Sequence, residues 1–383
     1  MVLPDSDTIA AMIRHRRHLH AHPEVGLALP DTHEYVSSEL QRLGLNPEDV
    51  PGAGVSVRIE GTNPGLTPIV FRADMDALPV HEDLDLSFRS TREGAMHACG
   101  HDLHMATLLG VAEDLVRNPP ARDVILAFQP GEESDRGALE TLKHKNLDVS
   151  AAQAFAVHVN AVLPTGTVAY SKGTFMAFGD WFRLDIEGPG GHASAPERAG
   201  NPIQMGARFE EAVVDLAQAL STPTGRAVAT VTEFLSGNTV NVIPTRGSLR
   251  GTVRTVNPEQ RDSLHLGMSK IVDELASDLG LVATLTITAG YPAVVSDLAF
   301  IDEFLADARA EGLSSVLQEM DHPSMVIEDF SYFLHKWPGA MVYVGAAIGD
   351  APSFNHSATA QFDEEAMKTA FRLFRMLAPS EPA

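Results

Sequence analysis

The sequence feature that most constrains the fold is an alternation of short apolar segments with segments of helical period. Residues 69–72, 124–128 and 154–158 are apolar runs typical of buried strands, and residues 31–43 and 102–117 have helical spacing. Alternating β and α segments predict an α/β fold in which helices cover both faces of a mainly parallel sheet. The sheet is therefore expected to be the central layer of the protein.

Polar side chains follow the predicted strands at the points where the strands end. They are Asp74 and Asp76 after the first strand, Glu132 and Glu133 after the second, and His158 at the end of the third. A late histidine, His356, follows the apolar stretch 340–346. Because ligands in open α/β sheets bind outside the carboxyl ends of the strands, we expect one rim of the sheet to gather all of these side chains.

Residues 178–289 have a different pattern. A strand, a helix, two strands, a helix and a strand follow one another in the order βαββαβ, which is the ferredoxin-like arrangement. A chain of 383 residues exceeds what one hydrophobic core usually holds, so two domains are expected. We predict that residues 1–177 and 290–383 form one domain, into which residues 178–289 are inserted as the second.

The segment His97–Asp102 reads His-Ala-Cys-Gly-His-Asp and contains Cys99, the only cysteine of the chain. In extended backbone, side chains two residues apart point to the same side, so Cys99 and His101 could bind one metal cluster. Gly100 would let the chain approach that cluster closely. Thiolate, imidazole and carboxylate ligands together suit a divalent transition metal better than calcium or magnesium.

Five side chains are candidate metal ligands: Cys99, His101, Glu133, His158 and His356. A single catalytic zinc usually has three protein ligands, so two divalent ions that share a ligand and a water are the better fit. For any one histidine the alternative is a satisfied polar residue at a strand end, but for the whole set we favour the metal centre. Zinc is the favoured metal, with manganese, cobalt or nickel as alternatives.

Four further residues are candidates for catalysis and substrate binding. Glu132 could take a proton from the attacking water while its neighbour binds metal, although an acidic loop is the alternative. His192 follows two glycines, and it could stabilise an oxyanion if it faced the metals; the alternative is a surface turn. Asn241 and Arg254 could hold a substrate carboxylate, since a guanidinium group binds carboxylates in bidentate fashion. An arginine on a strand is, however, usually a surface residue.

Charge and composition exclude several classes of protein. The net charge of −23 argues against a nucleic-acid scaffold, because neutralising phosphates needs a broad basic surface. The arginines and histidines of residues 14–22 are the exception, and we interpret them as a solvated helix end. No apolar run is long enough for a membrane span, the N-terminus lacks a secretion-signal pattern, and one cysteine excludes an internal disulfide framework. A cytoplasmic location is expected, with no membrane partner.

The motifs resemble those of one family, the co-catalytic metal amidohydrolases and peptidases that include hippurate hydrolase, N-acyl amino acid amidohydrolases and plant auxin-conjugate hydrolases. The matching stretches are RRHLHAHPE (16–24), FRADMDALPV (71–80), MHACGHD (96–102), FQPGEE (128–133), AVHV (156–159), GPGGHASAPE (188–197), NVIP (241–244), GTVRT (251–255), EDF (328–330) and FNHS (354–357). They follow the order of the family over nearly the whole chain. Departures at Leu103, residues 134–136, Pro189 and Asn201 leave the ligand set intact but leave the preferred substrate open.

The resemblance implies an aminopeptidase-like catalytic domain with two metals, and an inserted lid domain that also forms a homodimer. It implies the metal-ligand role for all five candidates, with Cys99 in the place where relatives outside this subgroup have a bridging aspartate. It makes Glu132 the general base and His192 the oxyanion donor, acting in the partner subunit's site. Asn241 and Arg254 become candidates for binding the substrate's carboxylate, and Asp74 and Asp76 support the ligands.

The activity that the resemblance implies is metal-dependent hydrolysis of the amide bond of an N-acyl amino acid, as in aminoacylases. The products would be a carboxylic acid and a free amino acid, and hippurate-like or N-acetyl amino acids would be the substrates. The alternative is a dipeptidase or carboxypeptidase with the same two-metal site. A catalytically silent ligand-binding homologue is less favoured, because neither a candidate ligand nor Glu132 has been lost.

Overall fold

The computed structural model describes residues 3–133 and 136–380, and these residues form two compact units. The first unit takes in the described residues up to Phe175, together with Val294–Met320 and those from Glu328 onward. The second unit comprises Met176–Ala293 and the short segment Asp321–Ile327. Each unit has its own hydrophobic core, so each can be described by itself.

The secondary structure of the described residues consists of α-helices, two short 3-10 helices and strands in two main sheets. The α-helices are α1 (Ser6–Ala21), α2 (Pro30–Arg42), α3 (His101–Arg117), α4 (Gly137–Thr141), α5 (Pro202–Leu220), α6 (Pro258–Leu279), α7 (Leu298–Ala310), α8 (Ser331–Lys336) and α9 (Ala366–Leu377). The 3-10 helices are Lys145–Leu147 and Pro196–Arg198. The strands are β1 (Glu48–Val50), β2 (Gly54–Ile59), β3 (Ile69–Asp74), β4 (Val124–Gln129), β5 (Gln153–Asn160), β6 (Val168–Tyr170), β7 (Thr174–Met176), β8 (Phe178–Glu187), β9 (Gly191–His192), β10 (Val228–Ser236), β11 (Val242–Ile243), β12 (Arg246–Thr255), β13 (Val282–Tyr291), β14 (Val294–Val295), β15 (Leu317–Glu319) and β16 (Gly339–Gly345).

The first unit is built around an eight-stranded sheet with the strand order β1-β2-β4-β3-β5-β16-β6-β15. Its four central strands, β4, β3, β5 and β16, are parallel to one another. They are buried along their length, which explains why they read as continuous apolar runs in the sequence. The predicted mainly parallel sheet is confirmed, whereas the antiparallel strands β1 and β2 at one side were not expected.

The parallel register brings the carboxyl ends of the central strands to one edge of the sheet. Strand β3 ends at Asp74, which lies opposite Gln129, the last residue of β4. Near the end of β5, His158 lies opposite Tyr343 of β16. The loops that leave these strands therefore start side by side, as the rule for open α/β sheets requires.

The basic segment 14–22 is not simply a solvated helix end, and that interpretation was wrong for His15, Arg16 and His20, which are buried. Arg16 Nε donates to Asp102 Oδ2 at 3.0 Å, and His20 Nδ1 lies 2.9 Å from the same oxygen. The reason is that α1 packs against α3, so its inner face meets the buried Asp102 at the start of α3. A buried charge needs a partner of this kind.

The second unit contains a four-stranded antiparallel sheet with the order β10-β12-β8-β13. Its elements follow one another as βαββαβ, since α5 lies between β8 and β10 and α6 between β12 and β13. The two helices pack with the inner side chains of the sheet in one core. Asn201 caps α5 by accepting a hydrogen bond from the N–H of Ile203 at 3.0 Å.

Across both units, none of the helices among the described residues combines the length and the apolar character required to span a bilayer.

Candidate metal centre

The segment that carries Cys99 and His101 is a turn that leads into α3 rather than an extended strand, which corrects the geometry expected from the sequence. Gly100 has φ +88°, in the left-handed region that favours glycine. A Cβ at this position would meet Val159 Cγ2 at 2.3 Å. The glycine therefore allows the turn to lie against the end of β5, where His158 is found.

The structure brings all five candidate ligands together. Two groups of three residues each have ligand atoms within 4.8 Å of one another: Cys99, His101 and His158 in one, and Cys99, Glu133 and His356 in the other. Cys99 belongs to both groups. Its Sγ lies 3.4 Å from His158 Nε2 and 3.2 Å from His356 Nε2. Two groups of possible ligands that share one sulfur fit the predicted pair of ions with a shared ligand.

In each of the two buried histidines, Nδ1 is held by a backbone carbonyl, which leaves Nε2 for the centre. His101 Nδ1 lies 2.7 Å from the carbonyl oxygen of Asp76, and His158 Nδ1 lies 2.8 Å from that of Val159. A carbonyl only accepts hydrogen bonds, so each Nδ1 carries the proton and each Nε2 can act as a metal ligand. His101 Nε2 is buried and makes no hydrogen bond. A buried polar atom of this kind fits the role of a metal ligand.

The electrostatics of the centre favour a bound cation. Burial raises the pKa of the Cys99 thiol well above its usual range, and the carboxylates of Glu133 and Glu132 raise it further, so a thiolate here needs a positive partner. Burial opposes a charge on His101, but Asp74, Asp76 and Glu133 raise its pKa to about 10. The same three carboxylates would favour a metal ion bound at His101. The donor set of one sulfur, three imidazoles and a carboxylate fits divalent transition metals.

Asp76 fixes the loop that carries the paired glutamates. Its two carboxylate oxygens accept hydrogen bonds from the backbone N–H groups of Glu132 at 3.0 Å and Glu133 at 3.1 Å. Glu133 Oε1 lies 3.3 Å from His356 Nε2, within the second ligand group. Burial raises the pKa of Glu132 well above its usual range, and the nearby carboxylate of Glu328 adds to this. A carboxyl group with a raised pKa is suited to proton transfer.

A second support for the centre runs through His104, which the sequence reasoning missed. His104 Nδ1 donates to Asp74 Oδ1 at 2.6 Å, and His104 Nε2 accepts a hydrogen bond from the N–H of Val159 at 2.9 Å. One ring therefore connects the end of β3, the first turn of α3 and the end of β5. The only sequence signal was its spacing, because His104 lies three residues after His101 and hence on the same helix face.

The sequence reasoning also missed a buried ion cluster centred on Arg72. Arg72 donates to Asp74 at 2.6 Å, to Glu328 at 3.0 Å and to Asp329 at 3.1 Å. Gln129 Nε2 donates to Asp329 at 2.7 Å, which ties the end of β4 to the cluster. The available signal was Arg72 itself, since a charged residue inside an apolar strand is rarely buried without a partner.

Two of the second unit's candidates, His192 and Asn241, lie next to each other. Strands β9 and β11 pair with Val242 opposite His192, and the N–H of Ala193 donates to the carbonyl oxygen of Asn241 at 3.1 Å. Both side chains are exposed. The N–H of Ser194 donates to His192 Nδ1 at 3.1 Å, so Nε2 carries the proton of the neutral ring and can donate it outward.

Arg254, the remaining candidate, lies near the other end of β12. It lies eight positions after Arg246, which begins β12 just after β11, so the strand spans roughly 26 Å between them at ~3.3 Å per residue. Its guanidinium group is half-buried and donates to the carbonyl oxygen of Val253 at 3.0 Å. Within this unit, Arg254 and Asn241 are therefore not neighbours, and their shared role in carboxylate binding stays a prediction.

Among the departures from the family's motifs, Leu103 is a buried core residue of α3, while Ser134 and Asp135 lie outside the described residues.

Comparison with known proteins agrees with this geometry. The family model of peptidase family M20/M25/M40 matches residues 70–379. Thermostable carboxypeptidase 1 of Saccharolobus solfataricus is 32% identical over 375 residues, which cover 96% of this chain and 94% of that protein. N-acetyldiaminopimelate deacetylase of Bacillus licheniformis is 32% identical over 375 residues, with 96% of each chain covered.

A solved structure indicates the same family. The YXEP protein of Bacillus subtilis, described as a dinuclear metal binding peptidase of the M20 family, superposes with a TM-score of 0.81. It is 30% identical, and the match covers 97% of this chain and 98% of that one. The chain therefore belongs to peptidase family M20/M25/M40 and is a hydrolase that acts on amide bonds.

Proposed function

We propose that the protein hydrolyses the amide bond of N-acyl amino acids, with two divalent metal ions held by Cys99, His101, Glu133, His158 and His356. The observation that carries the proposal is that two ligand groups share Cys99, with the buried Glu132 beside them. The deacetylase relative acts on an N-acetylated amino acid by its name, which favours small acyl groups.

Two divalent ions held by these residues would supply Lewis acidity that polarises the substrate's carbonyl and makes the attacking water more acidic. Glu132 accepts the proton of that water and later donates it to the leaving amino group, because its raised pKa suits transfer in both directions. Asp76 keeps the glutamate loop in place through the two backbone hydrogen bonds described above. Asp74 orients His104 and lies 3.6 Å from His101 Nε2.

We propose that residues 178–289, the predicted inserted domain, which lie within the second unit, form a ferredoxin-like lid that also forms a homodimer. His192 would donate a hydrogen bond to the oxyanion in the partner subunit's centre, and Asn241 and Arg254 would bind the substrate's carboxylate. The exposed His192 side chain, whose Nδ1 accepts a hydrogen bond and so leaves Nε2 as the donor, supports this role. Light scattering of the purified protein tests the dimer, since a mass of one chain would refute it.

Zinc is the metal we favour, with manganese, cobalt and nickel as the alternatives. The test is a screen of N-acetyl, benzoyl, long-chain acyl and indoleacetyl amino acids with metal-free protein that has been reloaded with each ion. Activity with at least one N-acyl amino acid, abolished by a chelator and restored by the ion, is the expected result. No hydrolysis of any substrate with any ion would refute the proposal.

The base is tested with Glu132→Gln, which keeps the size of the side chain but removes its proton-accepting oxygen. Turnover should fall about 10²–10⁴-fold, as for other general bases, while metal content stays near the proposed two ions per chain. The matched control is Glu140→Gln, because Glu140 is an exposed glutamate paired with Lys143 on the surface. If the Glu132 variant were as active as the control, another group would have to be the base.

A carboxypeptidase or dipeptidase activity is the second candidate, favoured by the similarity to the Saccharolobus solfataricus carboxypeptidase. The same screen separates the two when unblocked dipeptides and N-acetylated dipeptides are included. Faster hydrolysis of unblocked dipeptides than of any N-acyl amino acid would replace the first proposal with the second.

A further inference from the structure

The side chain of Asn355 connects segments that carry candidate ligands. Its Nδ2 donates to the carbonyl oxygen of Cys99 at 3.3 Å and to that of Val159 at 3.2 Å. Its Oδ1 accepts a hydrogen bond from the N–H of Ala161 at 3.0 Å. One amide group therefore joins the Cys99 turn and the end of β5 to the loop that carries His356.

The next residue, His356, has an unusual backbone conformation. Its φ is +69°, in the left-handed region that residues other than glycine seldom adopt. Such a conformation persists where the surrounding contacts determine it. The N–H of His356 donates to the carbonyl oxygen of Ala98 at 2.8 Å, and the side chain of Asn355 makes the adjacent contacts.

These contacts matter because packing does not fix the imidazole of His356. Half of its side chain is exposed, at 50%, whereas Cys99 is only 7% exposed. The loop backbone must therefore place His356 Nε2 at its 3.2 Å from Cys99 Sγ. Asn355 restrains both residues of that contact. Its side chain donates a hydrogen bond to the backbone of Cys99, and its own backbone is joined directly to His356.

We propose that Asn355 is a positioning residue that fixes Cys99 and His356 at the separation needed to hold a divalent cation. This inference rests on the proposed function, because it assumes the metal centre described above. Asn355 acts through its hydrogen bonds to backbone groups and through the contact of its Nδ2 with Cys99 Sγ at 3.9 Å. Losing a supporting hydrogen bond of this kind typically costs about 10–100-fold in metal affinity.

The test is a titration of the metal-free, full-length protein with cobalt(II). Cys99 is the only cysteine, so a thiolate-to-cobalt absorption band in the near ultraviolet reports this residue alone. Asn355→Ala removes the whole amide, and Asn355→Leu removes it while nearly preserving the volume of the side chain. Both variants should bind cobalt about 10–100-fold more weakly than the wild type and show a weaker band for each bound ion.

The matched control is Asn146→Ala. Asn146 Nδ2 also bridges two segments, since it donates to the carbonyl oxygen of Ser56 at 3.0 Å and to Ser56 Oγ at 3.1 Å. It connects the 3-10 helix Lys145–Leu147 to β2 and contacts a different part of the first unit. This variant should bind cobalt like the wild type.

Unchanged cobalt affinity and band intensity in both Asn355 variants would overturn the proposal. A lower melting temperature of the metal-free variants with unchanged cobalt binding would assign a structural role instead, as would failure of both variants to fold. A wild-type protein that shows no thiolate-to-cobalt band would refute the metal centre itself. That outcome concerns the proposed function and is recognised before any variant is compared.

Discussion

The candidate residues of the first unit and those of the second are held in different ways. In the first unit, Cys99, His101 and His158 are buried, and each contacts a part of the chain that is distant in sequence. In the second unit, His192 and Asn241 are exposed and contact their near neighbours in a two-stranded ribbon. The first set is organised by the fold of its own unit, whereas the second is proposed to act on a substrate held outside its own unit.

The difference indicates where each function would reside. A buried, low-dielectric centre strengthens electrostatic interactions, so its residues suit metal binding and proton transfer. An exposed histidine makes only weak electrostatic interactions until a ligand or another surface covers it. Stability and metal content should therefore depend on the first set, and turnover alone on the second.

The largest expected effect comes from breaking the buried ion cluster of the first unit with Arg72→Met. Removing the guanidinium group leaves Asp74, Glu328 and Asp329 buried without their cation, which should cost about 3–5 kcal/mol of unfolding free energy. Denaturant unfolding measures the loss. The control is Arg183→Met, because Arg183 forms an exposed pair with Asp185 in the second unit. Equal losses in the two variants would remove the contrast between buried and exposed charges.

His192→Ala should affect turnover without affecting stability. If His192 donates to the oxyanion, kcat should fall about 10²–10³-fold, as when other oxyanion donors are removed. Metal content and melting temperature should stay at wild-type values, because the side chain is exposed. His322→Ala, which changes another exposed histidine of the second unit, is the control. Similar kcat values for both variants would exclude His192 from the reaction.

The smallest effect is expected from Asp180→Asn, which tests whether the second unit can be weakened without disturbing the metal centre. Burial acts to raise the pKa of Asp180, but hydrogen bonds from Arg261, His265 and Gly290 hold it well below its usual range. A depressed pKa contributes stability above the unfolded value of about 3.9 and loses it as the pH falls.

The wild type should therefore exceed the Asp180 variant by roughly 2 kcal/mol at neutral pH, the scale of hydrogen bonds to a buried charge. The gap should close as the pH is lowered below 4, which denaturant unfolding at several pH values measures. A gap that is constant with pH would show that the charge of Asp180 contributes nothing. Metal content should not change.

The sequence predicted the central sheet and the convergence of the candidate ligands because both follow from local patterns. Buried parallel strands are continuous apolar runs, and their carboxyl ends share one edge. Polar residues such as Asp74 and His158 could therefore be assigned to one rim without any knowledge of their contacts.

The supporting residues could not be predicted in the same way, because their roles depend on partners far away in the chain. Arg16 and His20 looked solvated, since nothing local shows that they meet Asp102, more than eighty positions later. Asn355 lies in a loop without periodicity, and its side-chain hydrogen bonds form only once β5 and the Cys99 turn are in place.

The single sulfhydryl group of the chain belongs to both groups of candidate ligands, and this has a practical consequence. Any reagent that alkylates thiols can modify this polypeptide at Cys99 alone, so a mass increment reports the accessibility of one known atom. Burial and the raised pKa of the thiol already slow its modification in the metal-free protein. Bound ions would slow it further, so the rate with and without added ions would report occupancy without a substrate.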